Sequence, residues 1–196
     1  MNKANMEPYI HALEAVNNEL GDLRLIAQRL CNTLNNKGRI FVAGNGGSHS
    51  IAQHFSCDLM KAVGSDKLDC HVTCLSDNTA MMTAIANDIG YEDVFSKQVE
   101  EIDLGIHDTV IAFSVSGSSP NIVLLLRTAH EHGATIYLIR GVGDTLSGSW
   151  LGRHWLTVEV GGESSHHLHY YAVEVAFSAM AHEIARLFHI RMGNYA

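Results

Sequence analysis

Between residues 7 and 36 the apolar positions recur every three or four residues. Ile10, Leu13, Val16, Leu20, Leu23, Ile26 and Leu30 make one stripe, and Asn35-Asn36-Lys37-Gly38 closes it. That period predicts one or two amphipathic helices. The pattern then changes to short, nearly continuous apolar runs at Arg39–Ala43, Leu68–Leu75, Thr109–Val115, Thr135–Ile139 and Trp155–Val160. Helical patterns alternate with them near 49–62, 78–86, 91–102, 119–132 and 144–151, and a long helix is predicted over 166–190. Strands without an exposed polar face, alternating with helices, predict a parallel α/β sheet of five strands covered on both faces. No repeat, low-complexity stretch or linker interrupts the chain, so one domain over 1–196 is expected. Its parts are a helical segment (1–37) and an α/β core (38–196).

Composition narrows the function classes. Apolar residues make up 46% of the chain and charged residues 17%, the balance of a globule with a buried sheet. Net charge is −8 with only 13 Lys and Arg, which argues against a nucleic-acid surface. No apolar run reaches the length of a membrane span, and residues 1–14 lack the apolar core of a signal peptide. A cytoplasmic protein without a membrane partner is expected. Cys31, Cys57, Cys70 and Cys74 fit no disulfide framework, and Cys70 and Cys74 alternate with polar residues as core positions on a strand do.

The candidate chemistry lies where two strands run into Gly- and Ser-rich turns that open helices. The first turn is Gly44-Asn45-Gly46-Gly47-Ser48. The second is Ser114-Val115-Ser116-Gly117-Ser118-Ser119, with Pro120 at the first helical position. Backbone N–H groups and the positive end of a helix dipole converge at such turns, so each favours an anion. A single turn of this kind reads equally well as a tight turn with an N-cap; two opening onto one sheet point to a phosphate. Neither turn matches a nucleotide P-loop or a dinucleotide fingerprint. Two turns along the first helix, His54 and Asp58 stand four residues apart on one face, either as a surface pair or as acid–base or metal-binding groups. The His166-His167-Leu168-His169 cluster follows Glu163-Ser164-Ser165 and reads as a helix-entry loop.

Three segments carry a resemblance: AGNGGSHSIAQHFSCDL at 43–59, LSDNTAMMTAIANDIGYEDVFSKQVE at 75–100 and SVSGSSPNIV at 114–123. The chain resembles the sugar isomerase (SIS) domain family, and within it the phosphoheptose isomerases. The resemblance implies a three-layer, flavodoxin-like fold and an aldose–ketose isomerase. Its substrate would be sedoheptulose 7-phosphate, converted to D-glycero-D-manno-heptose 7-phosphate for surface polysaccharide. It also implies a homotetramer and a zinc ion held by His54, Asp58, Glu174 and His182. Asp58 would be the base and His182 the acid. Asn45, Gly46, Gly47, Ser48, Asp77, Asn78, Ser114, Ser116, Ser119 and Glu174 would bind substrate.

Two positions depart from the family pattern. Asp58 stands where the family has Glu, shortening the arm by one methylene. Glu174 stands where it has Gln, adding a charge. Glu174 and His182 are eight residues apart, roughly 12 Å along an ideal helix and about 80° around it, an awkward pair for one metal. A noncatalytic branch that binds a phosphosugar or docks on a protein, resembling the replication-initiator-associating SIS protein, is the alternative.

Overall fold

The computed structural model describes residues 6–63, 72–141, 155–158 and 166–193, with the side chains of 155–158 and 166–169 excepted. The stripe over 7–36 forms two helices, α1 (Glu7–Asn18) and α2 (Leu20–Asn35), broken at Glu19. Beyond them run β1 (Ile40–Gly44), α3 (Gly47–Val63), β2 (Val72–Cys74), α4 (Thr79–Asp88), a 3-10 turn (Tyr91–Asp93) and α5 (Ser96–Glu101). The chain continues through β3 (Thr109–Ser114), α6 (Pro120–Glu131), β4 (Thr135–Gly141), β5 (Trp155–Val158) and α7 (His166–Arg191). The predicted helix at 144–151, residues 68–71 and 159–160 of two predicted strands, Cys70 and the side chains of His166, His167 and His169 lie outside the described residues.

All five strands pair in parallel in the order β2-β1-β3-β4-β5. Alternate side chains point to opposite faces, and both faces are covered. Ile40, Val42, Ile111, Phe113, Tyr137 and Ile139 pack in one core with α1, α2, α3 and α7. Phe41, Ala43, Val110, Ala112, Ile136 and Leu138 pack in the other with α5, α6 and Ile85 of α4. This is the three-layer arrangement expected, and the order reverses between β1 and β3, the switch point at which such sheets open a crevice.

The predicted helix over 91–102 is instead two short pieces. The pieces are Tyr91–Asp93 and Ser96–Glu101, and Val94 and Phe95 between them are fully buried. Gln98 holds the break by donating to the carbonyls of Val94 (2.6 Å) and Leu75 (2.9 Å), a packing role.

Three aromatic rings fix the layer that carries the candidate chemistry. Phe113 of β3 meets Phe55 of α3 at 5.8 Å and Phe177 of α7 at 5.9 Å between ring centroids. Small residues on α7 (Ala172, Ala176, Ala181, Ala185) are buried with Phe177 and Phe188 and let α3 approach closely. His189 Nε2 lies 3.0 Å from the Asp58 carbonyl oxygen and sets the register of the two helices.

At the opposite end of the sheet, Asp108 ties β1 to the turn before β3. It accepts from the Arg39 guanidinium at 2.6 Å, the Arg39 amide at 2.8 Å and the Gly105 amide at 2.9 Å. Burial pushes the Asp108 carboxyl up, but the Arg39 and backbone bonds outweigh it and hold it below the usual range. A depressed folded-state pKa stabilises above the unfolded value, about 4, and that stability is lost as pH falls through the folded value. Asp108→Asn is expected to cost about 2 kcal/mol at pH 7, because it removes the charge to which the Arg39 guanidinium and two backbone amides donate. Urea denaturation should show the gap between wild type and variant narrowing in strong acid.

Candidate functional site

Both Gly/Ser turns lie at the carboxyl ends of β1 and β3, neighbours in the sheet, and face each other across a cavity of about 280 Å³. Asn45, Gly46, Gly47, Ser48, Ser114, Ser116, Ser119 and Glu174 line it, together with Phe113, Val115 and Tyr170. Gly46 (φ 56°) and Gly117 (φ 69°) take left-handed conformations, which lets the two turns bend back over the helix starts.

The hydroxyls are in different states. Ser114 Oγ accepts from the Gly117 amide at 3.1 Å and Ser116 Oγ from the Ser118 amide at 3.2 Å, leaving each O–H hydrogen free to turn outward. Ser119 stands at the N-cap of α6 without a capping bond, so its hydroxyl is not consumed by its own helix. Ser48 is buried in the first turn of α3. Hydroxyl donors and two helix N-termini converge on one volume, as a phosphate requires.

Glu174 reaches into this cavity from α7. Its carboxylate lies so close to Gly47 that any Cβ there would collide with it. Burial raises its pKa. A phosphate seated between the turns faces this charge, whereas a neighbouring sugar hydroxyl can donate to it. Glu174→Gln keeps an acceptor and removes the charge. It is expected to tighten binding of inorganic phosphate about tenfold, read by calorimetry.

About three turns along α3, Asp58 meets both histidines. Its Oδ2 lies 3.5 Å from His54 Nε2 and 3.5 Å from His182 Nδ1, and Lys61 Nζ is 3.3 Å from Oδ1. The imidazole rings stand edge to face, with centroids 5.0 Å apart. The shorter arm of Asp58 thus still reaches both partners. One ligand atom from each of His54, Asp58 and His182 lies within 4.8 Å of the others. Two nitrogens and one oxygen match the three-ligand, open-position set of catalytic zinc.

Of the four residues expected to hold a metal, three meet in this structure. Glu174 is not in that group; it sits in the serine-lined cavity. The reason is helical geometry, since α7 runs unbroken from His166 to Arg191 and keeps residues 174 and 182 about 12 Å apart. A second cavity of about 220 Å³ lies between α3 and α7 at the His54–Asp58–His182 group, lined also by Ser50 and Ser178.

Asp77 and Asn78 stand at the end of β2, outside the serine-lined cavity. Asn78 caps α4, its Oδ1 accepting from the Met81 amide at 3.0 Å. Sequence reasoning missed Asn121, Tyr170 and Ser178. Asn121 had a local signal, because it follows the Ser-rich turn as the second residue of α6. The other two lie on α7, where nothing local marks them.

Comparison with known proteins agrees with the geometry. The SIS-domain family profile matches residues 6–141. A phosphoheptose isomerase of Campylobacter concisus (strain 13826) is 35% identical over 126 residues, 64% of this chain and 66% of that protein. The chain thus spans just under two thirds of that relative's length. A phosphoheptose isomerase of Dechloromonas aromatica (strain RCB) is 32% identical over 139 residues, 71% of this chain and 70% of that protein. The solved structure of phosphoheptose isomerase from Neisseria gonorrhoeae superposes with a TM-score of 0.68 at 26% identity, covering 90% of this chain and 92% of that one.

Proposed function

The chain belongs to the SIS-domain family, and from that premise we propose that it is an aldose–ketose isomerase of a sugar phosphate. The substrate that best fits is sedoheptulose 7-phosphate, giving D-glycero-D-manno-heptose 7-phosphate for surface polysaccharide. One observation carries the reading. Asp58, on the helix that opens the phosphate cavity, meets His54 of that helix and His182 of α7, and a ligand anchored by its phosphate would extend its carbon chain toward them. The relatives named phosphoheptose isomerase support the substrate.

Isomerisation moves one proton between adjacent carbons and reshuffles the hydroxyl protons through an enediol. Asp58 takes the proton from the carbon bearing the terminal hydroxyl and returns it to the former carbonyl carbon. His182 exchanges a proton with the two oxygens, so no net proton is gained or lost. Ser48, Ser114, Ser116 and Ser119 hold the phosphate, and Glu174 accepts from a sugar hydroxyl. His54, Asp58 and His182 would hold a zinc ion. Bound there, it would polarise the substrate oxygens.

The test is incubation of C5 to C7 ketose phosphates with the protein, with and without zinc, following the aldose by NMR. Aldose formed only from the seven-carbon ketose supports the reading, and no aldose from any of them defeats it.

A phosphorylated substrate supports a cytoplasmic reaction. Among the described residues, no helix is long and apolar enough to cross a membrane. Self-association, as a tetramer, is part of the same reading. Met6, Ile10 and Leu13 lie on one face around α1 and are 59%, 54% and 44% exposed, a stripe that a second copy would cover. Light scattering is expected to show an oligomer that the double variant Ile10→Asp, Leu13→Asp shifts toward monomer.

A further inference from the structure

We propose that Asn121 and Tyr91 are positioning residues that set the spacing of the two phosphate-binding turns through Asn45. The inference rests on the phosphosugar reading of the serine-lined cavity.

The β1–β3 ladder ends at the pair Gly44 and Phe113, and past it each turn leaves the sheet. Among the described residues, no backbone hydrogen bond joins residues 45–48 to residues 114–119. What ties the first turn to the start of α6 is a reciprocal amide pair. Asn45 Nδ2 donates to Asn121 Oδ1 at 2.9 Å, and Asn121 Nδ2 donates to Asn45 Oδ1 at 2.9 Å, across 76 positions of sequence. Tyr91 supplies a third bond, its hydroxyl donating to Asn45 Oδ1 at 3.2 Å.

The donor count shows what the arrangement does. Asn45 Oδ1 accepts two bonds and is saturated, while one of the two Nδ2 hydrogens is spent on Asn121. The remaining N–H belongs to a side chain that lines the cavity. Asn121 is 2% exposed and does not line that cavity, so it acts on a ligand through Asn45. Its amide bonds hold their geometry because its surroundings are closed to water.

Tyr91 separates this role from a merely structural one. It is 58% exposed, so its hydroxyl contributes little to folding and its loss registers in the placement of Asn45. It also joins the segment after α4 to the cavity rim, making the rim a three-element assembly of the β1 turn, the α6 start and the 3-10 turn.

The experiment measures binding of inorganic phosphate by calorimetry, thermal melting, and KM and kcat for the sugar phosphate. Tyr91→Phe is expected to melt as wild type does and to weaken phosphate binding about threefold, the value of one hydrogen bond. Asn121→Ala is expected to weaken it about tenfold, with the loss falling on KM rather than kcat. Because both act through Asn45, the double variant should fall short of the product of the two single effects. Should Asn121→Ala fold poorly, Tyr91→Phe still decides the question. Wild-type phosphate affinity in Tyr91→Phe and in any folded Asn121→Ala overturns the positioning role alone. Failure of the unaltered protein to bind phosphate at all overturns the cavity reading, and the positioning role with it.

Discussion

Asp58→Asn is expected to lower turnover of the sugar phosphate about 10³-fold while leaving the melting temperature within about 2 °C of wild type. The amide matches the carboxylate in shape and still accepts a hydrogen bond, but it cannot take up a proton from carbon. Positioned acid–base groups contribute about 10²- to 10⁴-fold, so the loss belongs in kcat. Stability should hold because the ion pairs at Asp58 are weak and wet. The side chains of His54, His182 and Lys61 are all more than half exposed, and such pairs contribute at most about 1 kcal/mol. On the proposed reading the phosphate end of the substrate lies in the other cavity, so affinity for inorganic phosphate should be unchanged. NMR of the aldose product, calorimetry with phosphate and a thermal melt together check all three. Full turnover in Asp58→Asn would remove it as the base.

Ser116→Asp is expected to abolish phosphate binding, by about 10³-fold or more, with the fold intact. Ser116 lies on the cavity wall, and its Oγ already accepts from the Ser118 amide at 3.2 Å. An Asp oxygen can take over that bond, since Asp favours the same local turn. What changes is the charge. A carboxylate about 4 Å from a phosphate opposes each unit of its charge by about 4 kcal/mol at an effective dielectric of 20. Ser116→Ala, which removes one hydroxyl and adds no charge, should cost only about three- to tenfold. Calorimetry with inorganic phosphate distinguishes the three proteins. Retained affinity in the Asp variant would move the phosphate away from this turn.

Much of the scaffold follows from local pattern. The runs at Arg39–Ala43 and Thr109–Val115 carry no exposed polar alternation, and β1 and β3 are buried throughout, as strands covered on both faces must be. Ala52, Phe55, Leu59 and Ala62 repeat at helical spacing and are the buried face of α3. That same period places His54 and Asp58 together, because residues four apart on a helix always share a face. Local pattern did not suffice over 91–102, where a 3-10 turn and α5 replace one helix and Gln98 bonds across the junction to the Val94 and Leu75 carbonyls.

The sequence by itself therefore determined β1, β3 and α3, the two Gly/Ser turns and the His54–Asp58 pair, each of which depends on residues within a few positions of one another. Tertiary structure alone decided the rest. The order β2-β1-β3-β4-β5 brings the two turns side by side and lets Asn45 meet Asn121 from 76 residues away. The register of α7 against α3, set by Phe55, Phe113, Phe177 and the His189–Asp58 bond, delivers His182 to Asp58 and Glu174 to the serine-lined cavity. A rigid helix carries two residues eight apart to two different places, and which places they are depends on the surface it packs against.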